Sequence, residues 1–325
     1  MDAGEHMQET ATVRGRILRG VGGLYSVLLD GAEGSIVSCR ARGLFRHLDI
    51  TPLPGDRVEL ALTERADTAE DSGDGGEMMI AEIIDRRSAL IRPPMANLDY
   101  LFITLASAKP APVPETVDKL TAIAQHNGIE PVIVIGKAEL NRNMAAELTD
   151  IYCRAGFSVF PLSCRTGEGI DDLRAFINAN LPGRVAAFAG ASGVGKSTLL
   201  TQLFPTLDLQ TGGLSRKIER GRHTTRQVDL YPLTLENGEQ TFLADTPGFS
   251  MLDFARFDFF SLEDLPHAMR EFAPHLGKCR YTDCTHLCEE GCAIVEAVAA
   301  GEIPESRHAG YCAMYAVLKE KKAWK

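Results

Sequence analysis

No run of about 18 apolar residues occurs in this 325-residue chain, so the sequence offers no membrane-crossing helix. Met1–Thr10 lacks the cationic start and apolar stretch of a secretory leader and carries acids instead, so a soluble, cytoplasmic protein without membrane partners is expected. No internal repeat is evident. Net positive charge is also missing: the formal charge is −10, which argues against a nucleic-acid binder working by bulk electrostatics. The charge is unevenly spread. Residues 64–77 hold six acids against one arginine and read as a disordered loop. Leu214–Arg226 holds five basic residues against one acid, and Arg14, Arg16, Arg40, Arg42 and Arg46 enrich the N-terminal part, so local phosphate contact stays open. Four of the eight cysteines crowd into Cys279–Cys292, which in a cytosolic chain reads as metal binding rather than a disulfide framework.

Length alone favours two or three domains. From Ala11 to about Leu90, five short alternating segments (TVRGRILR, LYSVLLD, SIVSCRA, RVELALT, MMIAEII) are separated by turn clusters such as Gly22-Gly23, Asp30-Gly31 and Pro54-Gly55-Asp56. This spacing predicts a small Greek-key barrel of the OB type, although strand count identifies no ligand. Ile91–Asn97 contains consecutive prolines and reads as a connector. Beyond it, apolar strands (Tyr100–Ala106, Pro131–Ile135, Phe157–Pro161, Val185–Ala189) alternate with helices near Glu115–His126, Asn141–Ala155 and Ile170–Leu181. That alternation predicts a mostly parallel sheet covered on both faces. From about Asp253 helices surround the cysteine cluster. The expected division is a disordered 1–10, a barrel at 11–92, an α/β domain at 93–252 and a metal-bearing helical domain at 253–325.

The most informative motif is Gly190-Ala191-Ser192-Gly193-Val194-Gly195-Lys196-Ser197-Thr198, a full match to G-x-x-x-x-G-K-[ST] lying between a strand and the helix-like Leu199–Phe204. Its glycines let the backbone wrap phosphate, Lys196 is placed to reach the β- and γ-phosphates, and Ser197 to ligate Mg²⁺. Asp245-Thr-Pro-Gly248 follows an apolar segment: Asp245 suits Mg²⁺ held through water, and the Gly248 N–H suits the γ-phosphate. Phe249 stands where many GTPases carry the water-orienting glutamine, so another group must do that work. Gly221–Arg226 supplies His223 for it, with Thr224 and Thr225 as Mg²⁺ and γ-phosphate ligands.

Ahead of the phosphate loop lie Gly136-Lys137-Ala138-Glu139, a variant of the guanine motif N-K-x-D, and Ser163-Cys164-Arg165, in the place of its S-A-K companion. Glu139 keeps the carboxylate one methylene further out, and Gly136 gives up the bracing amide. With the guanine motifs first and the phosphate loop later, the order is that of a circularly permuted GTPase. Cys279, Cys284, His286 and Cys292 form the ligand set of one closed structural zinc site, with Cys288 a fifth candidate; four good ligands leave no open position for catalysis.

Taken together, GASGVGKSTLL, GRHTTR, LADTPGFS and CRYTDCTHLCEEGCAI resemble the ribosome small-subunit-dependent GTPase family (RsgA, also called YjeQ) from about Thr10 to Tyr315. The resemblance implies GTP hydrolysis stimulated by the small ribosomal subunit late in its maturation, with the barrel touching rRNA and GTP and GDP as ligands; the sequence leaves oligomeric state open, with a monomer as the default expectation. It further implies His223 as the water-positioning residue, Thr225 as the switch threonine, and Cys279, Cys284, His286 and Cys292 as zinc ligands. The altered guanine motif, Gly136 and Glu139, leaves a relaxed NTPase as one alternative; an RNA-binding placeholder that uses nucleotide as an occupancy signal with little turnover is the rival outside enzymes.

Overall fold

The structure is a computed structural model describing residues 12–31, 34–48, 50–63, 77–91, 93–205, 228–245 and 259–323. Most of the acidic run 64–77, the basic segment with His223, Thr224 and Thr225, and the switch residue Gly248 lie outside the described residues.

Strands β1 (Thr12–Val21), β2 (Leu24–Leu29), β3 (Ile36–Ala41), β4 (Arg57–Thr63) and β5 (Glu77–Ile83) close into a barrel in the order β1-β2-β3-β5-β4. Neighbours pair antiparallel except β3 with β5, which run parallel. Alternate residues point inward, so Ile17, Val27, Cys39, Val58, Leu60 and Ile80 fill the interior. Gly22 and Gly23 both hold positive φ (58° and 83°), the demand of a tight hairpin whose twist matches its strands. A single helical turn, α1 (Leu44–His47), follows β3.

The proline-rich connector turns out to be structured. β6 (Ala89–Ile91) and β7 (Pro94–Ala96) form a small hairpin, a structure the consecutive prolines tolerate because it has no interior strand. Asn97 fastens it by donating to the Gly55 carbonyl (3.0 Å) and accepting from the Arg87 N–H (2.9 Å). The fully buried Asp56 accepts from Leu53 N–H at 2.7 Å and from Arg86 Nε at 2.7 Å, pinning the turn before β4 to the segment between β5 and β6.

The central sheet has the order β10-β9-β8-β11-β13-β12, from β8 (Tyr100–Ala106), β9 (Glu130–Gly136), β10 (Ser158–Pro161), β11 (Val185–Ala189), β12 (Asp229–Thr234) and β13 (Gln240–Asp245). All pairs are parallel except β12 with β13. β12 lies outside the strands expected from the sequence. Its alternating pattern is broken by Pro232, which an edge position accepts. Burial on both faces explains the continuous apolar strands. Leu101, Ile103, Ile133, Ile135 and Ala187 face one core with α2 (Pro114–His126) and α3 (Arg142–Arg154). Phe102, Val132, Val134 and Phe188 face the other, with α4 (Ile170–Asn180) and α5 (Lys196–Leu203).

The C-terminal part consists of short 3-10 turns, the cysteine loop, α6 (Ala293–Ala299) and α7 (Glu305–Ala323). Its apolar residues Phe272, Ile294, Tyr311 and Met314 share a single cluster with Leu120 and Ile123 of α2. This part is therefore seated on the central unit's core rather than built around one of its own.

Candidate nucleotide and metal sites

β11 is buried along its whole length and delivers the chain to Gly190 at the end of the sheet. There φ is +144°, and a Cβ would stand 2.1 Å from the Thr104 carbonyl of β8, so the loop sits as close to the strand as only glycine permits. Gly193 and Gly195 also take positive φ, and α5 begins at Lys196 with its unpaired N–H groups facing the loop. Lys196 folds over the loop and donates from Nζ to the carbonyls of Gly190 (2.7 Å) and Ala191 (2.9 Å). Burial holds its pKa below the ordinary lysine value. Ser197 and Thr198 open the same helix. Ala244 of β13 is paired with Ala187, which brings Asp245 to the same end of the sheet as the loop.

The two candidate guanine segments come to this end as well. Lys137 takes a left-handed conformation (φ 56°), and its Nζ donates to the Gly193 carbonyl at 2.7 Å. Ser107, which the sequence analysis does not single out, donates to the Lys137 carbonyl at 2.7 Å. Ala138 N–H donates to Leu162 O at 3.1 Å, joining the first segment to the entry of the second. Within the second, the fully buried Ser163 accepts at Oγ from Thr166 N–H (3.1 Å), and its own N–H donates to Glu168 O (2.9 Å). Arg142 holds Glu168 through two hydrogen bonds, of 3.0 and 2.9 Å. Glu139 Oε2 is buried with no hydrogen-bond partner among the described residues, as a carboxylate awaiting donors would be. Burial, and next the Glu139 charge, push the half-buried Cys164 thiol above its usual pKa. Gly136 is closely surrounded: an added Cβ would already touch Val194 O at 3.4 Å and Leu105 O at 3.6 Å.

Gln202, on the last turn of α5, also escapes the sequence reading, because it lies beyond the phosphate motif. Its Nε2 donates to the Cys164 carbonyl at 2.7 Å. Gly190–Thr198, Gly136–Glu139, Ser163-Cys164 and the end of β13 are thus neighbours, whereas His223, Thr225 and Gly248 fall outside the described residues.

In the cysteine loop, the ligand atoms of Cys279, Cys284, His286 and Cys292 all lie within 4.8 Å of one another. Cys279 Sγ is 3.5 Å from His286 Nδ1, Cys292 Sγ is 3.6 Å from it, and the two sulfurs are 3.9 Å apart. A tetrahedral centre with metal–sulfur bonds of about 2.3 Å needs edges of this size. Burial depresses the His286 pKa, which favours the neutral, ligating imidazole. Cys288 is exposed and outside this group. The loop is folded by Glu289, which accepts from the N–H groups of Thr285 (2.8 Å), Leu287 (3.0 Å) and Cys288 (3.2 Å). Burial opposes ionisation of Glu289, but these bonds and the Thr285 hydroxyl prevail and hold its pKa at about 2.

Comparison with known proteins agrees with this architecture. A family model described as RsgA GTPase matches residues 83–255, and one described as RsgA N-terminal domain matches residues 14–69. A protein of Moorella thermoacetica named small ribosomal subunit biogenesis GTPase RsgA is 40% identical over 299 residues, covering 92% of this chain and 95% of its own. One of the same name from Caldanaerobacter subterraneus subsp. tengcongensis is 37% identical over 310 residues, covering 95% and 97%. Among solved structures, YjeQ from Thermotoga maritima superposes with a TM-score of 0.74 at 29% identity, covering 95% of this chain and 99% of that one. YloQ, described as a circularly permuted GTPase, gives 0.72 at 29% identity, covering 98% and 99%. With a phosphate loop, a permuted sheet and a closed five-stranded barrel matched over nearly its full length, the chain belongs to the RsgA GTPase family.

Proposed function

We propose that this protein is a GTP hydrolase of small-subunit biogenesis, binding the small ribosomal subunit and turning over GTP late in its maturation. The observation that carries the reading is the Lys137–Gly193 hydrogen bond, which draws a guanine-type segment onto a phosphate loop that follows it in sequence. The relatives' shared name supplies the ribosomal context.

On this reading Lys196 leaves the loop carbonyls for the β- and γ-phosphates, and Gly190–Gly195 present N–H groups to the same oxygens. Mg²⁺ would neutralise charge growing on the phosphates, with Ser197, Asp245 and Thr225 as the residues to hold it. His223 positions the attacking water, since Phe249 cannot. Glu139 accepts from the base edge, the Lys137 stem packs on the base, and the Ser163-Cys164 backbone meets its carbonyl. The cysteine loop holds one structural Zn²⁺ through Cys279, Cys284, His286 and Cys292, and the donor set and its edges fit that ion. The barrel contacts rRNA, and the protein works as a cytoplasmic monomer. Its functional division follows residues 11–92, 93–252 and 253–325, after a short tail at 1–10.

The test is phosphate release from GTP and from ATP by the full chain, each with and without purified small ribosomal subunits. The expected result is GTP-selective turnover that rises at least tenfold with subunits. Equal ATP turnover would replace the reading with a relaxed NTPase. Absence of a response to subunits would overturn the ribosomal role.

A further inference from the structure

We propose that Gln202 is a positioning residue for base selection, a strut that sets the distance between the phosphate-binding helix and the base-binding loop. The inference rests on the nucleotide reading above. α5 begins at Lys196, and Gln202 lies six residues on, so one rigid helix spans about 9 Å from phosphate to base. From its far end, the Gln202 Nε2 donates to the Cys164 carbonyl at 2.7 Å. The acceptor is a carbonyl, so only the NH₂ end of the amide can face it. Gln202 Oε1 is buried with no hydrogen-bond partner among the described residues. Among the described residues nothing else holds this amide, and turning it over would set oxygen against oxygen. Arg174 of α4 donates from Nη2 to the Gln202 carbonyl at 3.3 Å, fixing the end of the helix itself.

Among the described residues the segment thus braced has no other hydrogen bond to the phosphate helix. The bonds of Ser163 with Thr166 and Glu168 shape the loop internally. The Lys137–Gly193 bond ties the other base segment to the front of the phosphate loop. Gly136, having no side chain, adds no brace to either. Two struts of opposite origin therefore enclose the nucleotide. Lys137 reaches from base side to phosphate side, and Gln202 from phosphate side to base side. Loosening the second lets the Ser163-Cys164 backbone drift from a bound base while leaving the phosphate cradle intact.

The experiment compares the full-length protein with Gln202→Met, which keeps length and loses the donor, and Gln202→Asn, which keeps the amide but falls short of the Cys164 carbonyl. Steady-state hydrolysis of GTP and ATP is measured alongside competition by inorganic tripolyphosphate, which has phosphates and no base. One lost hydrogen bond predicts a rise in the KM for GTP of about fivefold in both variants, with kcat retained and the GTP-over-ATP ratio of kcat/KM lowered to match. Inhibition by tripolyphosphate stays as in the parent. An unchanged GTP-over-ATP ratio in a folded variant overturns the strut. A tripolyphosphate constant that weakens in step with the KM does so too, since the damage would then be to the phosphate loop. A parent protein with no preference for GTP overturns the guanine reading itself, an outcome visible before any variant is made.

Discussion

Arg307, on α7, is buried to 0% exposure and sits between two carboxylates. It donates to Asp118 of α2 at 2.5 Å and to Glu271 at 2.6 Å, with a further bond to Thr121 Oγ1 at 3.1 Å. One cation serves two buried acids, so one negative charge is left uncompensated. Burial drives the Asp118 pKa up from 3.8 to about 6, against the opposing pull of Arg307. Between pH 4 and 6 the folded state keeps a proton that the unfolded chain has released, so the Asp118 contribution to stability falls as pH rises through that window and is level above it. Asp118→Asn cannot titrate. Its stability relative to the parent should therefore improve between pH 4.5 and 7, by about 3 kcal/mol at most, when urea unfolding is followed at several pH values. A constant difference across that range would mean that Asp118 ionises normally and that Arg307 fully compensates both acids.

At the scale of elements, the cysteine loop depends on placement more than on count. Spacing alone left five cysteine and histidine candidates for four positions. His286 takes a left-handed backbone (φ 62°), and Glu289 gathers the surrounding N–H groups, leaving Cys288 at the surface and the other four together. Metal analysis of the purified chain should give one zinc per molecule. Cys288→Ser should retain it, while Cys292→Ser should reduce it to near zero and lower the unfolding temperature, because structural zinc contributes about 10 kcal/mol of apparent binding free energy. Loss of metal from Cys288→Ser would reassign the ligand set. The same contrast explains what the sequence could disclose. Period-two alternation announced all five barrel strands, and unbroken apolar runs announced the parallel strands, because burial imposes those patterns directly on the residues. The phosphate loop was legible because its glycines answer to backbone geometry. The β6–β7 hairpin was hidden by its prolines, and β12 by its mixed polarity and Pro232. The ties from Lys137 to Gly193 and from Gln202 to Cys164 span 56 and 38 residues, a separation no local pattern encodes.

Across the whole molecule, the units meet through polar seams as well as apolar ones. Arg270 clamps the C-terminal part to the central unit, donating to Glu130 at 2.6 Å and Gln125 at 2.6 Å while lying over the Phe157 ring. The barrel meets the central sheet along β1, where Arg19 pairs with Asp229 of β12 at 3.2 Å. Arg16, beside it, is only 5% exposed; its guanidinium lies 4.6 Å from the Phe242 ring of β13 and reaches Gly183 O at 3.4 Å. Its Nε and Nη1 are buried with no hydrogen-bond partner among the described residues, and burial, then the neighbouring Arg57, lowers its pKa to about 10. A charge in this position loses more hydration than its contacts return. The ring contact is worth about 1–2 kcal/mol, while each unsatisfied buried donor costs about 1–3 kcal/mol. Arg16→Met preserves the stem that packs on Phe242 and removes the orphaned nitrogens. Denaturant unfolding of the full chain should show it more stable than the parent by about 1 kcal/mol, the usual direction when an incompletely paired buried ion gives way to a well-packed apolar residue. A loss of that size would instead mean that the stacking on Phe242 outweighs the desolvation, making Arg16 a net fastener of the barrel to the sheet.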